Sequence, residues 1–304
     1  MSIICSSTIK SIALKIGFSD CGIAQACRLS EEEYPLDGWL AEGYNADMEY
    51  MMHNSEMRRD PRLLVEGAKS VISLVLAYKP GRLMEGPFKI AQYAYGEDYH
   101  ERMKRMLYQL IAAIKEQYPN FEGRPFVDTA PISDRHWAMR AGLGWIGHNN
   151  LFIHPTFGSF CFLGEIVTTS EVDHHSDNKA SNNEHTCNGC MLCIEACPNH
   201  AIVKLQDGVY VINARKCTSY NTIENRSELL PIELNTRGFI FGCDICQLAC
   251  PYNKETPASF SLSDERKNEL ESLPYADETL FNKFRKHSAL ARIKYWQLKR
   301  NIGY

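Results

Sequence analysis

The chain has 304 residues, 44% of them hydrophobic, which is enough for one large domain or two modest ones with a sizeable core. Its net charge of −4 gives no global attraction to nucleic acid, so a polyanionic partner requires a local basic patch. No apolar run reaches the roughly 18 residues of a membrane-spanning helix, which excludes a helical membrane protein.

In chain order, MSIICSSTIKSIALKIGFSD shows neither a basic leader before a long apolar block nor a clear cleavage site, so we expect a mature cytoplasmic protein. Residues 6–16 read as a helix and CGIAQA, 21–26, as a short strand. SVISLVLAY, 70–78, is a continuous apolar run of strand length, suited to a strand buried on both faces. Residues 98–118 carry Met103, Met106, Leu107, Leu110 and Ile114 at helical spacing and predict a long amphipathic helix. From PFVDTAPISDR to FLGEIVTT the chain reads strand, helix, glycine-rich turn, strand, turn, strand. This alternation argues a layered α/β (α+β) domain over residues 1–176. The polar stretch 173–185 reads as a loop or linker. A cysteine-rich domain is expected over 177–258, and a short helical tail over 259–304. Within the tail, residues 281–304 hold Lys283, Arg285, Lys286, Arg292, Lys294, Lys299 and Arg300 with no acidic residue.

Twelve cysteines in a reducing cytoplasm are expected to bind metal or catalyse, not to form disulfides. Cys187, Cys190, Cys193 and Cys197-Pro198 spell C-x2-C-x2-C-x3-C-P, the bacterial ferredoxin spacing. In that pattern three thiolates cap one 4Fe–4S cube and the cysteine before proline ligates the other cluster. Cys243, Cys246 and Cys250-Pro251 repeat it with the first member missing, and Cys217 can fill the gap. The expected sets are therefore Cys187, Cys190, Cys193 and Cys250 on one cluster, and Cys217, Cys243, Cys246 and Cys197 on the other. Structural zinc is the rival, but zinc knuckles are usually paired across a longer loop. Cys5, Cys21, Cys27 and Cys161 are scattered in apolar settings and read as small buried hydrophobes. Two clusters make a wire for single electrons, and the long segment before Cys187 implies that the wire ends at a redox cofactor or substrate.

That segment lacks a G-x-G-x-x-G at a strand-to-helix turn and a phosphate-binding P-loop. AGLGWIG, 141–147, has neither the lysine nor the spacing of a phosphate cradle. DYH at 98–100 approaches the D-x-H-x-x-G motif that gives a histidine to cobalamin, but Met103 stands at the glycine position. Asp128 follows a strand and reads as a turn or cap residue.

The segments MEYM, RRDPRLL, YGEDYH, VDTAPISDR, AGLGWIGHNNLFIHPTFGSFCFLGEI, CTSYNTIE and FGCDICQLACPYN follow one another over about 48–253. Together they resemble the epoxyqueuosine reductase family, which is related to the cobalamin-dependent reductive dehalogenases. The resemblance implies a nitroreductase-like domain holding base-off cobalamin beside a ferredoxin-like domain with two 4Fe–4S clusters. It implies reduction of epoxyqueuosine to queuosine in a tRNA anticodon loop; we expect a monomer fed by an unidentified low-potential electron donor. It makes Asp134 the proton donor beside the cobalamin, and it points to Arg58, Gly158 and Thr169 for cobalamin; Ser219, beside the cluster ligand Cys217, is expected to face the corrin where the domains meet. Many members grip tRNA with C-terminal helical repeats, whereas here 54 residues follow Cys250, so the basic tail is the candidate tRNA contact. The rival functions are a corrinoid dehalogenase acting on a small molecule and a non-catalytic iron–sulfur carrier.

Overall fold

The computed structural model describes residues 3–173 and 187–303. Apart from Asp173, the expected linker 173–185 lies outside the described residues, as does the expected boundary at 176/177.

Helix α1, Ser6–Ile16, stops at Gly17, whose φ of 109° suits a left-handed helix end. Strand β1, Asp20–Gln25, follows, then the short helices α2, Leu36–Ala41, and α3, Ser55–Arg59. Strand β2, Ser70–Ala77, is buried at every residue. A two-residue strand β3, Lys89–Ile90, leads to helix α4, Tyr99–Gln117, whose first turn is capped by the Asp98 carboxylate accepting from the His100 amide at 2.9 Å. Strand β4, Gly123–Phe126, helix α5, Asp134–Arg140, the hairpin β5, Trp145–Ile146, with β6, Phe152–Ile153, and strand β7, Cys161–Thr168, complete this part.

The main sheet runs β1-β2-β7-β4, with every neighbour antiparallel. Helices α1 and α4 pack on one face through Ile9, Met103, Leu107 and Leu110. Trp137 and Ala138 of α5 pack on the other, against Val71, Val75, Leu163 and Val167. The two-sided burial of SVISLVLA thus comes from helices covering both faces of an antiparallel sheet, which makes the class α+β.

The cysteine-rich part contains helix α6, Leu192–Ala196, strands β8, Ile202–Lys204, and β9, Tyr210–Ile212, helix α7, Thr218–Ile223, strand β10, Phe239–Phe241, and helix α8, Ile245–Leu248. The tail forms α9, Asp264–Ser272, α10, Glu278–Arg285, and α11, Tyr295–Ile302. This tail is no free appendage. β10 pairs in parallel with β3, and Phe241, Ile90, Tyr95, Leu270, Phe281 and Leu298 share one core. One basic tail residue is structural: Arg300 is buried and donates to the carbonyls of Asn221, Asn225 and Ser227 at 2.6–2.9 Å.

Candidate active site and metal centres

Each Cys-Pro pair ends a short helix, because the residue before proline is pushed out of the helical region. Cys197 (φ −68°, ψ 111°) and Cys250 (φ −72°, ψ 125°) are accordingly extended and leave the path of their own helices, α6 and α8. Cys187, Cys190, Cys193 and Cys250 border one common pocket with His148, Ile153 and Tyr252. Burial, and then the neighbouring Cys187, Cys250 and Cys190, raise the Cys193 thiol to about 11. In the other set, burial and then Cys217, Asp244 and Cys197 raise Cys243 to about 12. Cys246 is raised further by burial and by Cys217, Cys243, Asp244 and Cys197. The structure therefore brings the eight cysteines into the two crossed sets expected from their spacing.

Thiols gathered so closely oppose one another's ionisation and suit a cationic centre that neutralises them. Among the described residues no three His, Cys, Asp or Glu converge as on a single metal ion. The first set borders one shared pocket and the thiols of the second lie within electrostatic reach of one another, donor sets that fit sulfide-bridged iron cubes better than zinc. Backbone amides point at two of the sulfurs: His148 N at 3.4 Å from Cys187 Sγ, and Ala201 N at 3.3 Å from Cys197 Sγ.

Two adjoining cavities lie between the main sheet and the cysteine-rich part, about 910 and 590 Å³ in volume. Tyr50, Tyr93, Tyr99, Asp128, Ser219 and Arg292 line both. Aromatic rings make a broad flat wall: Tyr99 stacks on Phe162 with centroids 4.4 Å apart and planes 2° apart, and Phe162 on Tyr78 at 4.3 Å. Cys217 lines the smaller cavity, whereas no cysteine of the first set lines either one.

Asp134 faces the larger cavity as the first residue of α5. It neither caps its helix nor pairs with Arg135. Among the described residues its carboxylate accepts only from the adjacent Arg135 amide, at 3.0 Å, while the Arg135 guanidinium turns to the Asn150 carbonyl. Burial, followed by the charge of Asp128, raises Asp134 to about 6, against the pull of Arg135 and Arg58. Asp128 shifts the other way. Burial opposes its charge most strongly, but the His100 hydrogen bond at 3.0 Å, the charge of His100, the Tyr99 hydroxyl and Arg292 together hold Asp128 below the usual carboxylate range. His100 also bonds Asp98 at 2.8 Å, and these contacts overcome its burial to raise its pKa. Two carboxyls in one cavity with opposed shifts mark an acid and its charged neighbour.

Arg58 and Ser219 line the larger cavity as expected, and the buried Arg58 Nε has no hydrogen-bond partner among the described residues. Gly158 and Thr169 line neither cavity. At Gly158, φ is +59° and a Cβ would stand 1.9 Å from Asn253 Oδ1, so the backbone approaches the loop after Cys250 closely. Its neighbour Ser159 does line the cavity, and is pinned by Asn253 and Gln247 at 2.7–2.9 Å. Thr169 follows the far end of β7, six residues and roughly 20 Å of strand beyond the cavity-lining Leu163. Cys21 is buried as expected, but Cys161 lines the larger cavity. The sequence reading missed the pairing of Asp128 with His100, whose only signal was the aspartate–histidine spacing at 98–100.

Residues 58–129 match a family model described as Epoxyqueuosine reductase QueG, DUF1730, and residues 186–253 match a 4Fe-4S double cluster binding domain. An epoxyqueuosine reductase of Cellulophaga algicola is 42% identical over 309 residues, covering 98% of this chain and 97% of its own. The chain belongs to the epoxyqueuosine reductase family. As a member it is an oxidoreductase with a double-cluster binding domain. The fold agrees with the epoxyqueuosine reductase of Streptococcus thermophilus at a TM-score of 0.84 and 30% identity, over 97% of this chain and 79% of that one. It also matches a crystal structure of epoxyqueuosine reductase with a tRNA-Tyr epoxyqueuosine-modified stem loop, with TM-score 0.78, 26% identity and the same coverage. Among the described residues no helix is long and apolar enough to cross a membrane.

Proposed function

We propose that this epoxyqueuosine reductase acts in the cytoplasm on epoxyqueuosine in a tRNA anticodon loop. Base-off cobalamin would occupy the larger cavity, and two 4Fe–4S clusters the two cysteine sets. The observation that carries the reading is a pair of adjoining cavities with shared lining, Asp134, held near pKa 6, facing the larger and Cys217 of the second set facing the smaller. The relative solved with a modified tRNA stem loop supports the substrate.

The cavity fits a large flat macrocycle: its wall is aromatic, and Arg58 offers a buried, unused donor. Arg58, Ser159 and Ser219 would hold cobalamin, which supplies when bound a strongly nucleophilic metal centre for opening a strained ring. The chain's own part is protonic. Asp134 is protonated in a useful fraction near neutrality and gives its proton to the epoxide oxygen as that oxygen gains charge. Asp128, ionised through His100, keeps Asp134 from losing that proton early. Arg292, tied to Glu224 at 2.8 Å, lines both cavities and can meet an anionic group of the substrate.

Anaerobic reconstitution with iron, sulfide and cobalamin, followed by reaction with epoxyqueuosine-containing tRNA, tests this. About eight irons, one cobalamin and loss of the epoxide are expected. Four irons, zinc, or bound cobalamin without turnover on tRNA overturns the reading.

A further inference from the structure

Glu165 has no part in the chemistry above. It sits in β7, in register with Ser73 of β2 and Phe126 of β4. It is fully buried, and neither carboxyl oxygen has a hydrogen-bond partner among the described residues. Side chains alternate along a strand. Leu163 and Val167, two residues to either side, pack with Trp137 and Ala138 of α5. Glu165 therefore enters the same layer, beneath the helix that begins at Asp134. Ser73 Oγ and Trp137 Nε1 belong to this layer and are also buried without partners. Unpartnered polar groups buried together are the setting in which an internal water is held.

Burial, and then the charge of Asp134, hold Glu165 protonated well above the usual carboxylate range. The other titratable groups nearby are engaged or neutral. Arg135 turns to Asn150, and Arg124 of β4 to the Leu64 carbonyl. His136 pairs with Ser133 at 2.6 Å and is pushed down to about 3 by burial and then by Arg135. Cys161, on the same face of β7, is raised by burial.

Conversion of an epoxide to an alkene and water takes two electrons and two protons. Asp134 carries one proton. We propose that Glu165 stores the second and acts through Asp134, passing its proton by way of a water held among Glu165, Ser73 and Trp137. The first C–O bond breaks as the ring oxygen takes the proton of Asp134, giving a hydroxyl, and the two electrons supplied by the reductase end as a pair on the carbon it leaves. The second breaks as that carbon's electron pair forms the C=C bond and the oxygen takes the proton Asp134 has regained from Glu165, leaving as water; the departing hydroxide, far more basic than either carboxylate, draws the proton from Glu165 through Asp134. The two electrons come from the reductase's own clusters. Glu165, left ionised in an apolar layer, recovers its proton from solvent after product departs. Glu165 is thus a positioning residue for a proton and touches no reacting atom.

The inference rests on the role given to Asp134, and the test separates the two. Difference infrared spectra of the reconstituted enzyme should show a protonated-carboxyl band near neutral pH that Glu165→Gln removes. In turnover of epoxyqueuosine-containing tRNA, Glu165→Gln should lower kcat about 10- to 100-fold with KM unchanged and a larger solvent isotope effect. Glu165→Asp, which keeps a carboxyl, should recover part of the rate and decides the matter if the Gln variant does not fold. Absence of the band, or a Gln variant with the wild-type kcat and pH profile, overturns the role of Glu165 alone. A wild type that leaves epoxyqueuosine intact overturns the reading of the site and this role with it.

Discussion

Asp134 and Asp128 show how one chain makes an acid and an anion from the same side chain. Burial and the charge of Asp128 lift Asp134 to about 6, while His100 draws Asp128 down. Activity should therefore decline as pH rises through about 6, because the donor is lost. Asp128→Asn removes a negative neighbour, so the decline should move to lower pH; a profile left in place would mean that the two carboxyls do not interact. Asp134→Asn should cut turnover by about 10²–10⁴ while cofactors stay bound, and near-normal turnover would remove its role. The same shift bears on stability. An unfolded aspartate ionises near 4 and Asp134 near 6, so folding is disfavoured progressively as pH rises through that window and fully above it. Asp134→Asn should accordingly melt higher than the wild type at about pH 8 and no higher at about pH 4, read by calorimetry under argon.

At the level of elements, the decisive pieces are the two Cys-Pro helices and the turn at 157–159. Replacing Cys217 with Ala should leave about four irons bound and stop electron delivery to the cavity, since Cys217 belongs to the set that borders it. A variant that keeps all its iron would place the fourth ligand elsewhere. Gly158→Ala forces a Cβ against Asn253 at a positive φ and should destabilise the fold by about 1–3 kcal/mol, measured by thermal melting. These elements also show what a sequence can and cannot disclose. The cysteine sets were legible because ligand spacing and proline position are local properties of the chain. α1, β2 and α4 were legible because their apolar periodicity is local too. The pairing of Asp128 with His100, 28 residues apart, was not, because burial and neighbouring charge arise only when β4 and α4 meet. That Gly158 faces the loop after Cys250 and that Thr169 stands away from both cavities was illegible for a related reason, because such neighbours are set by tertiary packing.

Across the whole molecule, the tail divides its charges between folding and the surface. Lys283, Lys286 and Lys294 are exposed, whereas Arg300 is locked into backbone carbonyls. Charge reversal at the three lysines should weaken tRNA binding and flatten its dependence on salt, by about one unit of slope per lost phosphate contact. Arg300→Ala should instead lower the melting temperature, because it strands buried carbonyls at about 1–3 kcal/mol. Equal salt slopes for the wild type and the lysine variant would place the tRNA contact on another surface. Arg300 and its neighbour Asn301 also impose an order in time. Asn301 donates to the carbonyls of Thr222 and Ile240, at 2.8 and 2.9 Å, in the elements flanking Cys217 and Cys243. Both residues lie some fifty positions beyond Cys250 and leave the ribosome after all eight cysteines. These contacts around the second cysteine set therefore form only once that later segment has been made.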